Sequence, residues 1–284
     1  MTKNITLDEF ESVAKIWLDA NAREKPASSE KESEWGEGEF SVAVFHNLTF
    51  EEESALLQEA AEWQIAKSEE GYHAITWPAQ YGGLDLPIEY ARAFARLESD
   101  YITPSRHETF SVTTRLIAPT VLHYGTDDQK NELLSDLFSA KIYCCQLFSE
   151  PGTGSDLAGL GCKAVKDGDE WVINGQKVWS SGAQFSQWGE LIARTHFDQP
   201  KHKGMTAFMI PMDLPGIEVR QIRQMSGGTS FNEVFFSDVR VPDRLRLGPE
   251  GEGWGVALTT LSFERDHSDS DGGGRAGGKW SQLL

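Results

Sequence analysis

The chain has 284 residues, 39% of them hydrophobic, and a formal net charge of -18 at pH 7. This length suffices for about two domains, and the acidic balance speaks against nucleic acid or an anionic membrane surface as a partner. No run approaches the ~18 consecutive apolar residues of a spanning helix, and the amino-terminal residues lack the apolar core of a secretory signal, so we expect a soluble, cytoplasmic protein.

The amino-terminal half has the residue pattern of α-helices. Thr49 is followed three residues later by Glu52, a capping box that begins a helix, and Thr126 with Gln129 repeats the signal. Another helix is predicted over residues 88–100, and apolar residues recur at helical spacing after both capping boxes. We therefore predict that the first half of the chain is mainly α-helical.

Beyond Tyr143 the pattern changes to short β-prone segments. Asp167-Gly168 and Asn174-Gly175 separate the first three of them, and such dipeptides are strong signals for β-hairpins. Many short strands with regular turns favour an antiparallel barrel or a sandwich. The predicted strands cover residues 163–165, 171–173, 177–179, 191–195, 206–210, 217–221, 234–236 and 239–241.

A further helix is predicted to begin after Gly253, and the glycine-rich segment from Gly272 to Gly278 cannot continue it, because each glycine costs up to about 1 kcal/mol relative to alanine. The predicted fold class is thus α+β. An amino-terminal α-helical domain precedes a middle antiparallel β-barrel domain, and a short carboxy-terminal helical stub follows.

The sequence predicts no metal site. The cysteines Cys144, Cys145 and Cys162 match neither zinc nor CxxC spacing, so we expect buried thiols. Seven histidines show no paired ligand pattern. The short basic segment Lys201–Lys203 is open to two interpretations, a phosphate-binding loop or a solvated turn.

The most informative segment spans residues 148–156 and reads FSEPGTGSD; Trp179, Ser180 and Ser181 follow it on the same β-rich part of the chain. Glycines in such a turn let a ligand approach the backbone closely. Hydroxyl groups and an indole beside this turn suit the binding of a flat, hydrogen-bonding, anionic cofactor.

Five motifs in a fixed order extend this pattern, and together they resemble the acyl-CoA dehydrogenase family over about residues 40 to 266. They read HYGTDDQK (residues 123–130), SEPGTGSDLAGL (149–160), DEWVINGQKVWSSGA (169–183), GPEGEGW (248–254) and SFER (262–265).

The resemblance implies a domain order, and here the chain departs from the family. Members of the family continue into a carboxy-terminal helical bundle, so this chain is expected to be truncated. The implied parts are a variable extension (residues 1–40), a helical domain (41–142), a β-barrel domain that binds FAD and acyl-CoA (143–253) and the truncated start of the helical bundle (254–284).

The resemblance also implies FAD as the cofactor, because hydride must be accepted by a cofactor rather than by a side chain. Trp179 would pack against the isoalloxazine, and Ser181 would bond near the nitrogen that receives hydride. Serine stands at positions 149 and 181 where the family usually has threonine. The residues implied to bind FAD are Gln146, Phe148, Ser149, Trp179, Ser180 and Ser181.

For the substrate, the resemblance implies a contact by Ser155, with Arg265 as a second candidate. Glu264 aligns with the catalytic base of a minority of the family. A carboxylate base needs a desolvated setting that raises its pKa towards the working pH. Two alternatives remain open: Glu264 and Arg265 form a surface ion pair, or the base lies in the carboxy-terminal bundle.

The leading hypothesis is therefore an FAD-dependent acyl-CoA dehydrogenase that desaturates an acyl-CoA thioester in fatty-acid or related β-oxidation. The expected partners are the acyl-CoA substrate, an electron-transfer flavoprotein and further subunits, in a homo-oligomer or beside a full-length paralogue. The alternatives are a non-catalytic partner subunit of a full-length enzyme and an acyl-CoA oxidase.

Overall fold

The computed structural model describes residues 5–26, 48–104, 107–225 and 227–268, and the backbone alone for 265–268. Residues 1–4 and 27–40 of the predicted variable extension, and the whole glycine-rich segment from Gly272 to Gly278, lie outside these residues. The described helices are α1 (Leu7–Asn21), α2 (Phe50–Glu70), α3 (Ile88–Glu98), α4 (Glu108–Ser111), α5 (Ala118–Tyr124), α6 (Asp127–Phe138) and α7 (Gly253–Ser268).

Both predicted capping boxes are confirmed. The Thr49 hydroxyl accepts a hydrogen bond from the Glu52 amide, and the Glu52 carboxylate accepts one from the Thr49 amide. Thr126 and Gln129 make the same pair of bonds at the start of α6. Each box satisfies two backbone amides that the first helical turn leaves free. A π-helical turn (Val112–Ile117) joins α4 to α5, so the helical structure is continuous from Glu108 to Tyr124.

The amino-terminal helices enclose a core of their own. Phe10 and Leu18 of α1 are fully buried, and Phe10 meets the Tyr72 ring edge-on at 5.9 Å between centroids. Tyr72 in turn stacks on Phe94 of α3 at 4.6 Å. Aromatic pairs in these geometries add to the free energy gained from burying apolar surface.

The strands form two sheets in the described residues. A two-stranded sheet joins β1 (Arg23–Glu24) to β2 (Tyr101–Ile102) beside the helices. The second sheet has eight strands: β3 (Cys144–Leu147), β4 (Lys163–Asp167), β5 (Glu170–Ser181), β6 (Trp188–Arg194), β7 (Met205–Pro211), β8 (Ile217–Ile222), β9 (Phe231–Pro242) and β10 (Arg246–Leu247).

The α+β fold class and the carboxy-terminal helix are confirmed, but the closed antiparallel barrel is wrong. The strand order is β10-β7-β6-β4-β5-β9-β8, and the two end strands do not pair with each other among the described residues. Two pairings are parallel, because β3 and then β4 add to the same edge of β6. The loop between β3 and β4 therefore leaves the sheet and returns to it, and this loop carries the FSEPGTGSD motif.

The predicted hairpin at Asn174-Gly175 is also wrong, whereas the turn at Asp167-Gly168 is confirmed, since β4 and β5 pair directly across it. The chain passes Asn174 within a single strand, β5, whose register with β9 shifts there. Gly175 has φ +153, and a Cβ at this position would lie 2.8 Å from the Cys162 sulfur. The Asn-Gly signal marks a β-bulge with a close backbone approach rather than a turn.

The eight-stranded sheet buries apolar side chains on both faces. On one face Ile192 and Met209 pack with Leu134 of α6 and Val256 of α7. On the other face Trp171, Phe208, Val239 and their neighbours form a second cluster. Within the described residues, no helix combines the length and apolarity that crossing a membrane requires.

Candidate functional site

A buried ion pair fixes the start of the motif loop against β5. The Lys177 side chain is fully buried, and its Nζ donates to the Phe148 carbonyl oxygen and to Glu150 Oε1, both at 2.9 Å. The Glu150 carboxylate also accepts from the Gly161 and Cys162 amides at 2.7 and 2.9 Å. A buried charge pair with its remaining hydrogen bonds made holds both segments in one geometry.

A backbone bond joins the two predicted halves of the site. The Val178 amide donates to the Ser149 carbonyl oxygen at 2.9 Å, which places Ser149 beside the end of β5. Glu150 and Thr153 exchange backbone bonds of 2.9 and 3.0 Å and so close the glycine-rich turn. The structure thus brings the motif loop and the Trp179–Ser181 segment together, as the sequence analysis expects.

Trp179 stands in an unusual backbone conformation. Its φ is +61, and the register of β5 with β9 shifts between Lys177 and Ser180. Lys177, Val178 and Ser180 are buried, while the Trp179 side chain is 58% exposed and meets Phe231 edge-on at 5.8 Å. Positive φ at a bulky residue costs free energy, and such strain is concentrated at functional sites. The bulge turns the indole out of the core.

Two of the sequence-predicted residues carry buried polar atoms without partners in the described part of the chain. Gln146 Nε2 and Ser180 Oγ are buried and have no hydrogen-bond partner among the described residues. The Ser180 carbonyl oxygen accepts from Asn232 Nδ2 at 2.9 Å. Ser149 and Ser181 are half-buried. Buried polar atoms normally have partners, so this unpaired set is available to a ligand.

The other sequence-predicted residues of this cluster occupy different settings. Phe148 packs in the core between the sheet and the helices, and its carbonyl oxygen binds Lys177. Ser155 lies exposed on the motif loop. Its neighbour Asp156 forms an exposed ion pair with Lys201 at 2.7 Å, so the basic segment lies beside this loop.

The turn after Ser181 reveals a residue that the sequence analysis missed. Gly182 has φ +66, and a Cβ there would lie 1.8 Å from Thr109 Oγ1. Thr109, in α4, is fully buried, and its hydroxyl has no partner among the described residues. The helix therefore presses directly on the backbone turn beside Ser181. No spacing signal in the sequence links these two segments.

Glu264 lies near the end of α7 and is exposed. Its carboxylate makes no hydrogen bond or ion pair in the part of the chain that the structure describes. The Arg265 side chain lies outside the described residues, so the predicted ion pair and the substrate contact of Arg265 stay predictions. Among the described residues, no hydrogen bond, ion pair or ring contact joins Glu264 to the Trp179 cluster (Gln146, Ser149 and residues 179–181).

The cysteines are buried and free, as expected. Burial raises the pKa of Cys145 to about 12 and that of Cys162 to about 11, so these thiols stay protonated at neutral pH. Within the described ranges, no group of three or more His, Cys, Asp or Glu side chains could hold a metal ion. The candidate site is therefore the Trp179 cluster.

The donor set of this cluster fits a flavin. The isoalloxazine offers a large π surface for an exposed indole. Its polar edge requires the kind of donors and acceptors that Gln146 Nε2, Ser180 Oγ and the two half-buried serine hydroxyls provide.

Comparisons with known proteins point the same way. Residues 45–141 match the family described as acyl-CoA dehydrogenase, N-terminal domain, and residues 145–239 match acyl-CoA dehydrogenase, middle domain. The chain is 38% identical over 213 residues to acyl-CoA dehydrogenase IpdE1 of Mycobacterium tuberculosis, covering 75% of this chain and 55% of that protein. It is 41% identical over 202 residues to acyl-CoA dehydrogenase FadE34 of the same organism, covering 71% of this chain and 28% of that protein. The chain thus spans about half the length of IpdE1.

Solved structures share the fold. The Tcur3481-Tcur3483 steroid ACAD superposes with a TM-score of 0.68 at 26% identity, covering 96% of this chain and 65% of that chain. The ChsE4-ChsE5 complex from Mycobacterium tuberculosis superposes with a TM-score of 0.65 at 25% identity, covering 100% of this chain and 72% of that chain.

Proposed function

Because this chain belongs to the acyl-CoA dehydrogenase family, we propose that it binds FAD and takes part in the α,β-desaturation of an acyl-CoA thioester. The observation that carries the proposal is the strained, exposed Trp179, together with the unpaired polar atoms of Gln146 and Ser180. The relatives IpdE1 and FadE34, which are named acyl-CoA dehydrogenases, support it.

The proposed flavin site uses residues from both halves of the cluster. Bound FAD would supply the acceptor for the β hydrogen of the substrate, which leaves as hydride. Trp179 would pack against the ring system, and Ser181 would hydrogen-bond near the ring nitrogen that accepts hydride. Gln146, Phe148, Ser149 and Ser180 complete the contacts through the motif loop and the end of β5. The Lys177–Glu150 pair holds the loop in place without touching the cofactor.

Substrate binding and proton removal are proposed for the loop beside this cluster and for α7. Ser155 contacts the CoA-ester substrate through its hydroxyl group or its backbone, with Arg265 as a further contact. Glu264 removes the α proton, for which its exposed carboxylate must become desolvated when the substrate binds. Hydrogen bonds to the thioester carbonyl would acidify that proton.

The partners belong to the proposal as well. The electron acceptor is an electron-transfer flavoprotein, and the reaction takes place in the cytoplasm. The proposed domain boundaries, near residues 40, 142 and 253, are those that the family implies. A partner subunit is a second candidate role, favoured by the superposition on the ChsE4-ChsE5 complex. In that role this chain supplies the flavin-binding half of a site that a longer paralogue completes.

The experiment that tests the flavin site is reconstitution. The purified chain is titrated with FAD and followed by flavin fluorescence and visible absorbance. Saturable binding with one FAD per chain is expected. A well-folded chain that takes up no FAD contradicts the proposal.

A second measurement separates the catalytic roles. The FAD-loaded chain is mixed with acyl-CoAs without oxygen, alone and with a full-length paralogue. Bleaching of the flavin by the chain alone supports desaturation by this chain, and bleaching only with the paralogue supports the partner role. Formation of peroxide on turnover in air would instead indicate an oxidase.

A further inference from the structure

A buried carboxyl group lies on β6, the strand next to β3, which carries Gln146 of the proposed flavin site. Glu190 of β6 is fully buried on the sheet face that packs against α5 and α7. Its Oε1 accepts a hydrogen bond of 2.7 Å from the Thr260 hydroxyl of α7, which lies 3.0 Å from the Thr120 hydroxyl of α5. Oε2 is buried without a partner among the described residues. A buried carboxyl oxygen without a hydrogen bond costs folding free energy, so the presence of Glu190 here requires an explanation.

The adjacent strand offers a matching unpaired group. In the parallel ladder of β3 and β6, Gln146 is the register partner of Glu190. Paired positions on neighbouring strands stand on the same face about 5 Å apart. Gln146 Nε2 is buried and, like Glu190 Oε2, has no partner among the described residues. An unpaired donor and an unpaired acceptor therefore lie at paired positions on neighbouring strands, and no hydrogen bond joins them in this structure.

The two ends of an amide have opposite hydrogen-bonding character, so fixing one end fixes the other. We propose that Glu190 is a positioning residue: when the flavin is bound, its carboxyl group pairs with the Gln146 amide, fixes the orientation of that amide, and thereby selects whether the donor or the acceptor end meets the flavin. The inference rests on the proposed function, because Gln146 belongs to the proposed flavin site. It assigns a task to a residue that does not touch the cofactor.

The charge of Glu190 decides the orientation. An ionised carboxylate only accepts, so it binds the Gln146 NH₂ group and leaves the amide oxygen for the flavin. A protonated carboxyl group donates to the amide oxygen and leaves the NH₂ group for the flavin. A donor at the ring stabilises the negative charge that develops on reduction, whereas an acceptor does not.

The surroundings of Glu190 bring its pKa close to neutral pH. Burial raises the pKa of Glu190 to about 8, and the hydrogen bond from Thr260 acts in the opposite direction. On β3 the ionisable neighbour recorded among the described residues is the Cys144 thiol, whose pKa burial raises well above its ordinary range. The neighbours on β7, α7 and α5 are Met209, Thr260 and Thr120, which do not titrate.

A double-mutant cycle on FAD binding tests the inference. FAD dissociation constants are measured for the parent chain, Glu190→Leu, Gln146→Ala and the double variant. Leucine cannot orient the amide, so we expect Glu190→Leu to weaken binding about fivefold in the parent and less than about twofold beside Gln146→Ala. Glu89→Gln, on the exposed surface of α3, serves as the control.

The conservative variant Glu190→Gln gives a measurement, the pH dependence of the flavin spectrum, that a purely structural role of Glu190 would leave unchanged. Glu190→Gln can still pair with Gln146 but cannot titrate. We expect near-parental FAD affinity, together with a flavin spectrum that no longer changes between about pH 6 and 9, where the parent spectrum shifts.

Each outcome decides a different point. Equal effects of Glu190→Leu in both backgrounds, or a parent spectrum as flat as that of Glu190→Gln, would overturn the inference while the proposed function stands. If Glu190→Leu does not fold by circular dichroism, the pH comparison alone decides. A folded parent chain that binds no FAD overturns the proposed function and the inference with it.

Discussion

Trp179 combines a strained backbone with a largely exposed indole, and these two properties make separable predictions. In Trp179→Gly, the strain of ~1–3 kcal/mol disappears, against ~0.5–1 kcal/mol for the added freedom of the unfolded chain. We therefore expect the free energy of unfolding to stay level or rise. FAD affinity should fall about tenfold, because the aromatic contact and its buried area are lost. Urea denaturation and FAD titration measure the two effects.

The matched control for this variant is Asp85→Gly. Asp85 is exposed, has φ +53 and lies far along the chain from the cluster. Relief of strain should stabilise Asp85→Gly less than Trp179→Gly, because Asp tolerates positive φ better than Trp, and FAD affinity should be unchanged. Loss of stability together with loss of affinity in Trp179→Gly would show that the indole serves packing instead.

The buried Lys177–Glu150 pair, which holds the motif loop, leads to a prediction about the free energy of unfolding. In Lys177→Met, Glu150 keeps two backbone donors but loses its counter-charge, and breaking a buried pair in this way typically costs ~3–5 kcal/mol. Adding Glu150→Gln removes the uncompensated charge and should restore part of the stability. Urea denaturation of the parent, the single variant and the double variant measures both steps. A double variant less stable than Lys177→Met would contradict this account.

At the scale of elements, the contact between α4 and the turn after β5 predicts a large effect of one methyl group. Gly182→Ala introduces both a left-handed alanine, at ~1–2 kcal/mol, and an overlap with Thr109 Oγ1. Gly168→Ala has the same φ sign, at +64, but no atom within 4 Å of the new Cβ. We expect Gly182→Ala to be less stable than Gly168→Ala by about 1–3 kcal/mol and to bind FAD more weakly. Equal losses of stability in denaturant titrations would argue against the contact.

The elements also show what the sequence could predict and what it could not. The capping boxes of Thr49 and Thr126 are local signals, and both are confirmed. The Asn174-Gly175 dipeptide is local too, but its structure is tied to a close contact with Cys162, which lies just before β4. Closure of the sheet depends on how the end strands meet, which no short pattern encodes.

In the candidate site, too, the sequence predicts what local motifs carry and misses what depends on contacts between distant segments. The hydroxyls and the indole of residues 149 and 179–181 stand in the motifs, so the sequence could name them. The Lys177–Glu150 pair and the contact of Thr109 with Gly182 join segments distant in the chain. Glu190 gives no signal in the sequence, because a glutamate within a strand pattern is expected on the exposed face.

In the whole molecule, Glu190 links the eight-stranded sheet to α7 and α5, which lie far from it in the sequence. It stands on the sheet, accepts a hydrogen bond from α7 and reaches α5 through the paired hydroxyls of Thr260 and Thr120. Thr260 lies one helical turn before Glu264, so the proposed base belongs to the helix that Glu190 holds. A change in the charge of Glu190 should therefore be felt in the stability of the folded chain.

The sign of that effect follows from proton binding. Burial raises the pKa of Glu190 from an ordinary value near 4.5 to about 8 in the folded chain. Between these values the folded state keeps the proton and the unfolded state releases it, so stability falls as the pH rises, by at most about 1.4 kcal/mol per pH unit. The contribution is fully present below about pH 4.5 and is lost above about pH 8.

Glu190→Gln carries no such proton, so the unfolding free energy of the parent relative to this variant should decrease steadily from about pH 5 to about pH 8. Urea denaturation at each pH, without added cofactor, measures this difference, and the other titrating groups cancel in it. The exposed Glu89→Gln should run parallel to the parent over the same range. Parallel curves for the parent and Glu190→Gln would mean that the carboxyl group is ionised in the folded chain throughout, and that water or another group reaches Oε2.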